Sequence, residues 1–312
     1  MAGKKSIGIA QAVSAAQSSI SASHPKAALT AAQGAPVPHA QQVQVFFDGG
    51  GQALVVAVPA TGKPSPAQAV PVGLSVKPLP WPLTMTEDQA FDALVKKFPG
   101  IAPNGVILAA FDGLTWPVTG TCYCFPVSGP GGSVQPAQRD FAFVDADSGN
   151  AFLLSQSVPH LSFLGWVGRT LEMVRRSRPQ AVLITASPDT SGGGSLDAGE
   201  AQGGQVFLKD GDQMLNVIAS AYGILTPPMP VPQVINPVFL PVPWPVKIDL
   251  PQAVAAFKKA NPDAKPFGVS LGHFERPDWL TGTYYFFNLG QEGAYVDANT
   301  GAVKTAATPP TG

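Results

Sequence analysis

TEDQAFDALVKKFPG, residues 86–100, returns 163 positions later (249 minus 86) as DLPQAVAAFKKANPD, residues 249–263, and this recurrence divides the chain in two. In each copy a capping pair comes first, Thr86 with Gln89 and Asp249 with Gln252, able to satisfy the free amides of a first helical turn. The helix spacing then turns Ala90, Leu94 and Phe98 inward in the first copy, and Ala253, Phe257 and Ala260 in the second. Pro99 and Pro262 stop both helices.

Downstream the correspondence continues. Gly105, Val106, Leu108, Phe111 and Trp116 match Gly268, Val269, Leu271, Phe274 and Trp279 at the same offset, and TGTCYCF from Thr119 matches TGTYYFF from Thr281. Both copies close on turn chemistry, FVDADSGNAF at 143–152 and YVDANTGAV at 295–303, in which Gly takes the left-handed position. Alternation and aromatic content predict antiparallel strands around these turns. The first copy alone carries a longer loop, SGPGGSVQPAQRD at 128–140.

Upstream, LPWPL around Trp81 and VPWPV around Trp244 are proline-studded connectors that cannot act as central strands. Before them stand two hairpin patterns, VQVFFDGGGQALVVAV from Val43 and GQVFLKDGDQMLNVIA from Gly204, each turning on Asp-Gly or Gly-Gly, which supply positive φ. A loop rich in Gly, Ala and Pro is expected ahead of each hairpin. Ile9, Val13, Ala16 and Ile20 draw one apolar stripe on a leading helix, and Phe163, Val167 and Val174 repeat it 154 residues later.

The 312 residues suit about two domains. Only 12% are charged, where about 25% is usual, so something other than water is expected to cover part of the surface. A net charge of −1 and a pI near 6.4 leave no electrostatic footprint for nucleic acid or an anionic membrane. No apolar run approaches the about 18 residues of a membrane span. The opening MAGKKSIGIAQAVSAAQSSI has a basic start but no continuous apolar stretch, so no signal peptide is read and the chain is expected to be cytoplasmic at synthesis. Its final location, including a place in a released or exported assembly, stays open.

Candidate chemistry is sparse. Cys122 and Cys124 form a C-x-C on a predicted strand, both on one face, but the second copy carries Tyr284 and Phe286 there, so the slot reads as packing. His24, His39, His160 and His273 are scattered singly. Asp145 with Ser148, and Asp297 with Thr300, read as turn residues and not as calcium or acid–base groups. No phosphate loop, H-E-x-x-H or G-x-S-x-G context occurs, so no catalytic, metal or cofactor-binding residue is assigned and no cofactor is expected. Arg175, Arg176 and Arg178 form the one basic concentration, at a helix end. Together with Trp81 and Trp244 they are the candidate interaction residues.

The order of capped helix, proline stop, strands and a terminal Tyr/Phe-Val-Asp-Ala-x-Ser/Thr-Gly hairpin resembles the PepSY domain, over residues 84–152 and 247–304. That resemblance implies a small helix-on-sheet module, no catalytic residue, and binding or inhibition of a peptidase as a role. The expected fold is α+β: two tandem repeats, residues 1–156 and 157–312, each an N-terminal helix, a β-hairpin and a PepSY-like helix packed on an antiparallel sheet. The expected function is a non-enzymatic structural or protein-interaction protein, self-assembling or part of a larger assembly. A PepSY-like peptidase inhibitor or chaperone, and an enzyme with an unrecognised site, are the alternatives.

Overall fold

The computed structural model describes residues 6–35, 40–70, 77–128, 140–189, 203–232, 240–275, 278–290 and 292–305. The chain divides into two compact units, Met1–Pro159 and His160–Gly312. The first unit runs α1 (Ile9–Ile20), β1 (Ala28–Ala35), β2 (Gln42–Asp48), β3 (Ala53–Pro59), β4 (Gln68–Val70), α2 (Glu87–Lys97), β5 (Ala102–Pro103), β6 (Val106–Asp112), β7 (Thr119–Ser128), β8 (Asp140–Asp145), β9 (Ala151–Leu153) and α3 (Leu154–Ser157). The second runs α4 (Phe163–Ser177), β10 (Val182–Pro188), β11 (Gly203–Asp210), β12 (Gln213–Ser220), β13 (Met229–Val231), α5 (Leu250–Ala260), β14 (Gly268–Phe274), a 3-10 turn (Asp278–Leu280), β15 (Gly282–Asn288), β16 (Gly293–Asp297) and β17 (Val303–Thr305). Apart from β5 and α3, every helix and strand of the first unit has its counterpart, in the same order, in the second.

The expected α+β arrangement is corrected by the strand order. Each unit is mainly β, built on one large antiparallel sheet, nine-stranded in the first unit (β4-β3-β2-β1-β6-β7-β8-β9, with β5 beside β7) and eight-stranded in the second (β13-β12-β11-β10-β14-β15-β16-β17). Hairpin and helix-bearing module are therefore not separate pieces. They are two wings of one sheet, joined where β1 pairs with β2 on one side and β6 on the other, and where β10 pairs with β11 and β14. The joining strands lie in stretches expected to be loops rich in Gly, Ala and Pro.

The physical reason is that β1 reads ALTAAQGA, and Leu29, Thr30, Ala31 and Ala32 are all buried. A strand covered on both faces shows no polar alternation, which removes the usual signal. Each joining strand also carries an irregularity at the same place, between Leu29 and Ala31 and between Leu183 and Thr185, which breaks the two-residue period further.

Two helices cover one face of each sheet. In the first unit Ile9, Val13, Ala16 and Ile20 of α1 and Ala90 and Leu94 of α2 share one apolar core with Val43, Val45, Leu108, Tyr123, Phe125 and Val144. Phe98 is only partly buried against it. In the second unit Phe163 of α4 meets the Tyr285 ring at 5.7 Å, and Phe257 of α5 stacks on Phe287 at 4.3 Å. Val254, not the exposed Ala260, completes the inward side of α5.

Both predicted capping boxes are present, Thr86 with Gln89 and Asp249 with Gln252. A carboxylate also ties the two helices of each unit together at their N-termini. Ile9 N–H donates to Glu87 Oε2 at 3.0 Å, and Leu164 N–H donates to Asp249 Oδ1 at 3.1 Å. Free amides and the helix dipole both favour negative charge there. The copies reach this by different residues: Thr86 caps while Glu87 supplies the charge, whereas Asp249 does both. A core tyrosine fixes each connector, Tyr123 Oη donating to Met85 O and Tyr285 Oη to Ile248 O, both at 2.7 Å.

Hydrogen exchange followed by mass spectrometry tests the sheet order. Amides of β1 and β10 are expected to exchange most slowly in their units and those of the edge strands β4 and β13 much faster; equal rates would mean that the wings are not joined.

Candidate interaction surface

Because strand side chains alternate, the face opposite the helices is composed of the intervening residues. On β7, Tyr123 and Phe125 enter the helix-covered core, so Cys122 and Cys124 belong to the other face; on β15, Tyr285 and Phe287 leave Tyr284 and Phe286 there. The register confirms that the cysteines and these aromatics occupy the same slots, Cys124 opposite Ile107 and Phe286 opposite Ser270. Both thiols are free and buried. Burial, then the carboxylates of Asp145 and Asp147, pushes the Cys122 thiol up to about 12, and burial raises Cys124 as well. Both shifts favour the neutral thiol, the less nucleophilic form.

On this face the first unit carries a close aromatic cluster. Phe111, Trp116 and Phe143 lie 5.6 to 6.0 Å apart, Phe141 meets Trp116 edge-on at 5.0 Å, and Phe152 stacks on Phe143 at 5.3 Å. The second unit places Phe274, Trp279, Tyr284, Phe286 and Tyr295 there, with centroid separations from 5.1 to 6.4 Å. Lys304 stands opposite Tyr295 where Phe152 stands opposite Phe143. Its Nζ donates to Trp279 O and Tyr284 Oη, both at 2.8 Å, and lies 5.2 Å from the Tyr284 ring centroid. Trp279 is left 44% exposed.

The residues singled out from sequence are occupied by the fold. Trp81 is half-buried against the first core, and Trp244 is half-buried with its ring beside Gly168 of α4. Arg175 Nε donates to Ala181 O at 3.0 Å, Arg176 pairs with Glu172 on the exposed side of α4 at 3.2 Å, and Arg178 Nη1 reaches Asp210 Oδ2 at 3.0 Å and Gln213 Oε1 at 2.8 Å. Arg175 and Arg178 fasten the end of α4 to its own unit, while Arg176 pairs within the helix. Asp145 and Asp297 each accept from the amides of their own turns, with Gly149 at φ 72° and Gly301 at φ 74° in the left-handed positions. The loop at 129–139 lies outside the described residues, as do parts of the unequal segments before each hairpin.

Two features were missed at the sequence level. One is a groove of about 440 Å³ at the ends of β1, β2 and β6, lined by Gln33, Gln44, Asn104, Val106, Ile107 and Pro126 among others, with no charged residue in its lining. Gln33 Nε2 donates to Gln44 Oε1, its partner on the neighbouring strand, at 2.7 Å. The other is the exposure of large apolar side chains, among the described residues Phe267 at 78%, Trp279 at 44%, Ile218 at 43% and Met229 at 39%, these four lying in the second unit. Laying the copies over each other was the available signal, since it sets Phe267 against Asn104.

No family model matches this sequence, and no curated protein is significantly similar to it. The PepSY resemblance thus rests on the two segments that carry it. No helix among the described residues is long and apolar enough to cross a membrane.

Two predictions follow from this geometry. A thiol reagent at mildly alkaline pH is expected to leave native Cys122 and Cys124 unmodified and to label both on unfolding; rapid labelling of the native chain would show that the face opens. The Asp145 carboxyl is held below its ordinary value, first by the Ser148 hydroxyl and then by the Ser148 and Asp147 amides, with burial opposing. Such a group contributes stability above its unfolded pKa, and the contribution is lost as pH falls through the lowered folded value. Asp145→Asn should therefore lower the urea midpoint near neutral pH, with the gap to the native chain closing in acid.

Proposed function

We propose that this is a non-enzymatic structural or protein-interaction protein that assembles with copies of itself. The observation that carries the reading is the exposure of large apolar side chains among the described residues, Phe267 at 78% most of all. Single exposed apolar residues are ordinary, but a phenylalanine ring left 78% exposed on a chain with only 12% charged residues fits a surface that a partner covers. The helix-free sheet faces add to this, since the hairpin wing of the first sheet carries half-exposed Phe46 and Val55 and that of the second carries half-exposed Phe207, apolar area available for burial. The polar groups that could have suggested chemistry are engaged otherwise: Asp145 and Asp297 in their turns, the arginines in α4 contacts.

Sedimentation velocity over a range of micromolar concentrations, with negative-stain electron microscopy of the same samples, tests the proposal. Concentration-dependent growth into dimers, rings or filaments is expected. A compact monomer at every concentration would overturn it.

A further inference from the structure

Asn104 and Gly105 form the one Asn-Gly pair in the sequence; every other asparagine is followed by a residue that carries a side chain. The fold keeps this glycine, because a Cβ on Gly105 would lie 3.1 Å from Gly34 O and 3.5 Å from Ala35 Cβ, where the start of β6 closes on β1. The pair stands between β5 and β6, outside both strands, and Asn104 is exposed to water. Asn104 N–H is held by Pro126 O at 2.9 Å, whereas Gly105 N–H has no acceptor among the described residues. The Gly105 nitrogen is therefore not committed to either neighbouring ladder. In the second unit Phe267 replaces the asparagine and Gly268 is kept, so whatever chemistry this pair supports belongs to the first unit.

We infer that Asn104 is a self-modification site, which deamidates through a ring closed with the main-chain nitrogen of Gly105. Gly105 suits this step because no Cβ shields its nitrogen. The Gly105 N–H gives its proton to hydroxide, and the nitrogen attacks Asn104 Cγ. The N–Cγ bond forms and the Cγ–Nδ2 bond breaks, with Nδ2 taking a proton from water and leaving as ammonia, which restores the hydroxide. Water then opens the cyclic imide. Addition at Cγ leaves aspartate in an unchanged chain, and addition at the main-chain carbonyl leaves isoaspartate, in which the backbone runs through the former side chain. Nothing is oxidised or reduced, and water is the only reagent consumed.

Either product places a carboxylate beside Gln33 and Gln44, on a groove whose lining holds no charged residue. Isoaspartate also adds one atom to the backbone just ahead of Val106, which pairs with Gly34 at the end of the β1–β6 ladder, so the modified chain is expected to lose that terminal pairing. The inference goes beyond the assembly reading and does not depend on it.

The test follows the full-length chain in mildly alkaline buffer at physiological temperature, by peptide mapping with mass spectrometry and by isoelectric focusing. The same chain unfolded in guanidinium chloride, and an Asn104→Gln variant whose longer side chain disfavours the ring, are followed beside it. In the native chain Asn104 is expected to convert at least tenfold faster than Asn150, Asn288 or Asn299, giving both aspartate and isoaspartate. A more acidic band is expected to grow with time in the native chain and not in Asn104→Gln. If Asn104 converts in guanidinium chloride but persists in the native chain, the fold withholds the nitrogen and the inference is overturned. Conversion no faster than at the other three asparagines, or an acidic band that grows equally in Asn104→Gln, overturns it as well.

Discussion

The structure of each unit depends on a strand that must be satisfied on all sides. β1 and β10 are paired along both edges, and the run from Leu29 to Ala32, like that from Leu183 to Ala186, is buried on both faces. A backbone in that setting has no water for its amides and carbonyls, so both ladders have to form together. This couples the hairpin wing to the helix-bearing wing. A single apolar core then extends beneath both, and α1 and α2 pack on it as one layer.

The helices are held in that layer by charge as well as by burial. One carboxylate near the start of the second helix receives an amide from the start of the first, through Glu87 in one unit and Asp249 in the other. That the same contact is made by residues one position apart in the aligned copies shows the geometry to be the constraint, with the side-chain identity adjusted to reach it. The tyrosine bonds to Met85 O and Ile248 O clamp the connector in the same way in both units.

With one face closed by helices, the opposite face is where the copies have diverged. The first unit fills it with phenylalanines, two small buried thiols and a shallow neutral groove. The second fills it with tyrosines, a lysine over a ring, and exposed Trp279, and it presents Phe267 where the first has Asn104. Duplication supplied two equivalent surfaces, and divergence made them unlike.

Much of this was legible in sequence. The duplication, both capping boxes, the Asp-x-Asp/Asn-Ser/Thr-Gly turns, the helix stripes apart from Phe98 and Ala260, and the equivalence of Cys122 and Cys124 with Tyr284 and Phe286 all follow from local rules, because they depend on residues a few positions apart or on direct comparison of the copies. The joining strands, and with them the mainly β architecture, were decided only by tertiary structure. ALTAAQGA has no alternation to read, since burial on both faces erases the polar half of the pattern, and its partners lie far along the chain at Val45 and Leu108. The groove and the exposure of Phe267 are likewise products of packing: whether a phenylalanine is buried or exposed depends on what stands over it, and no neighbour in the sequence records that.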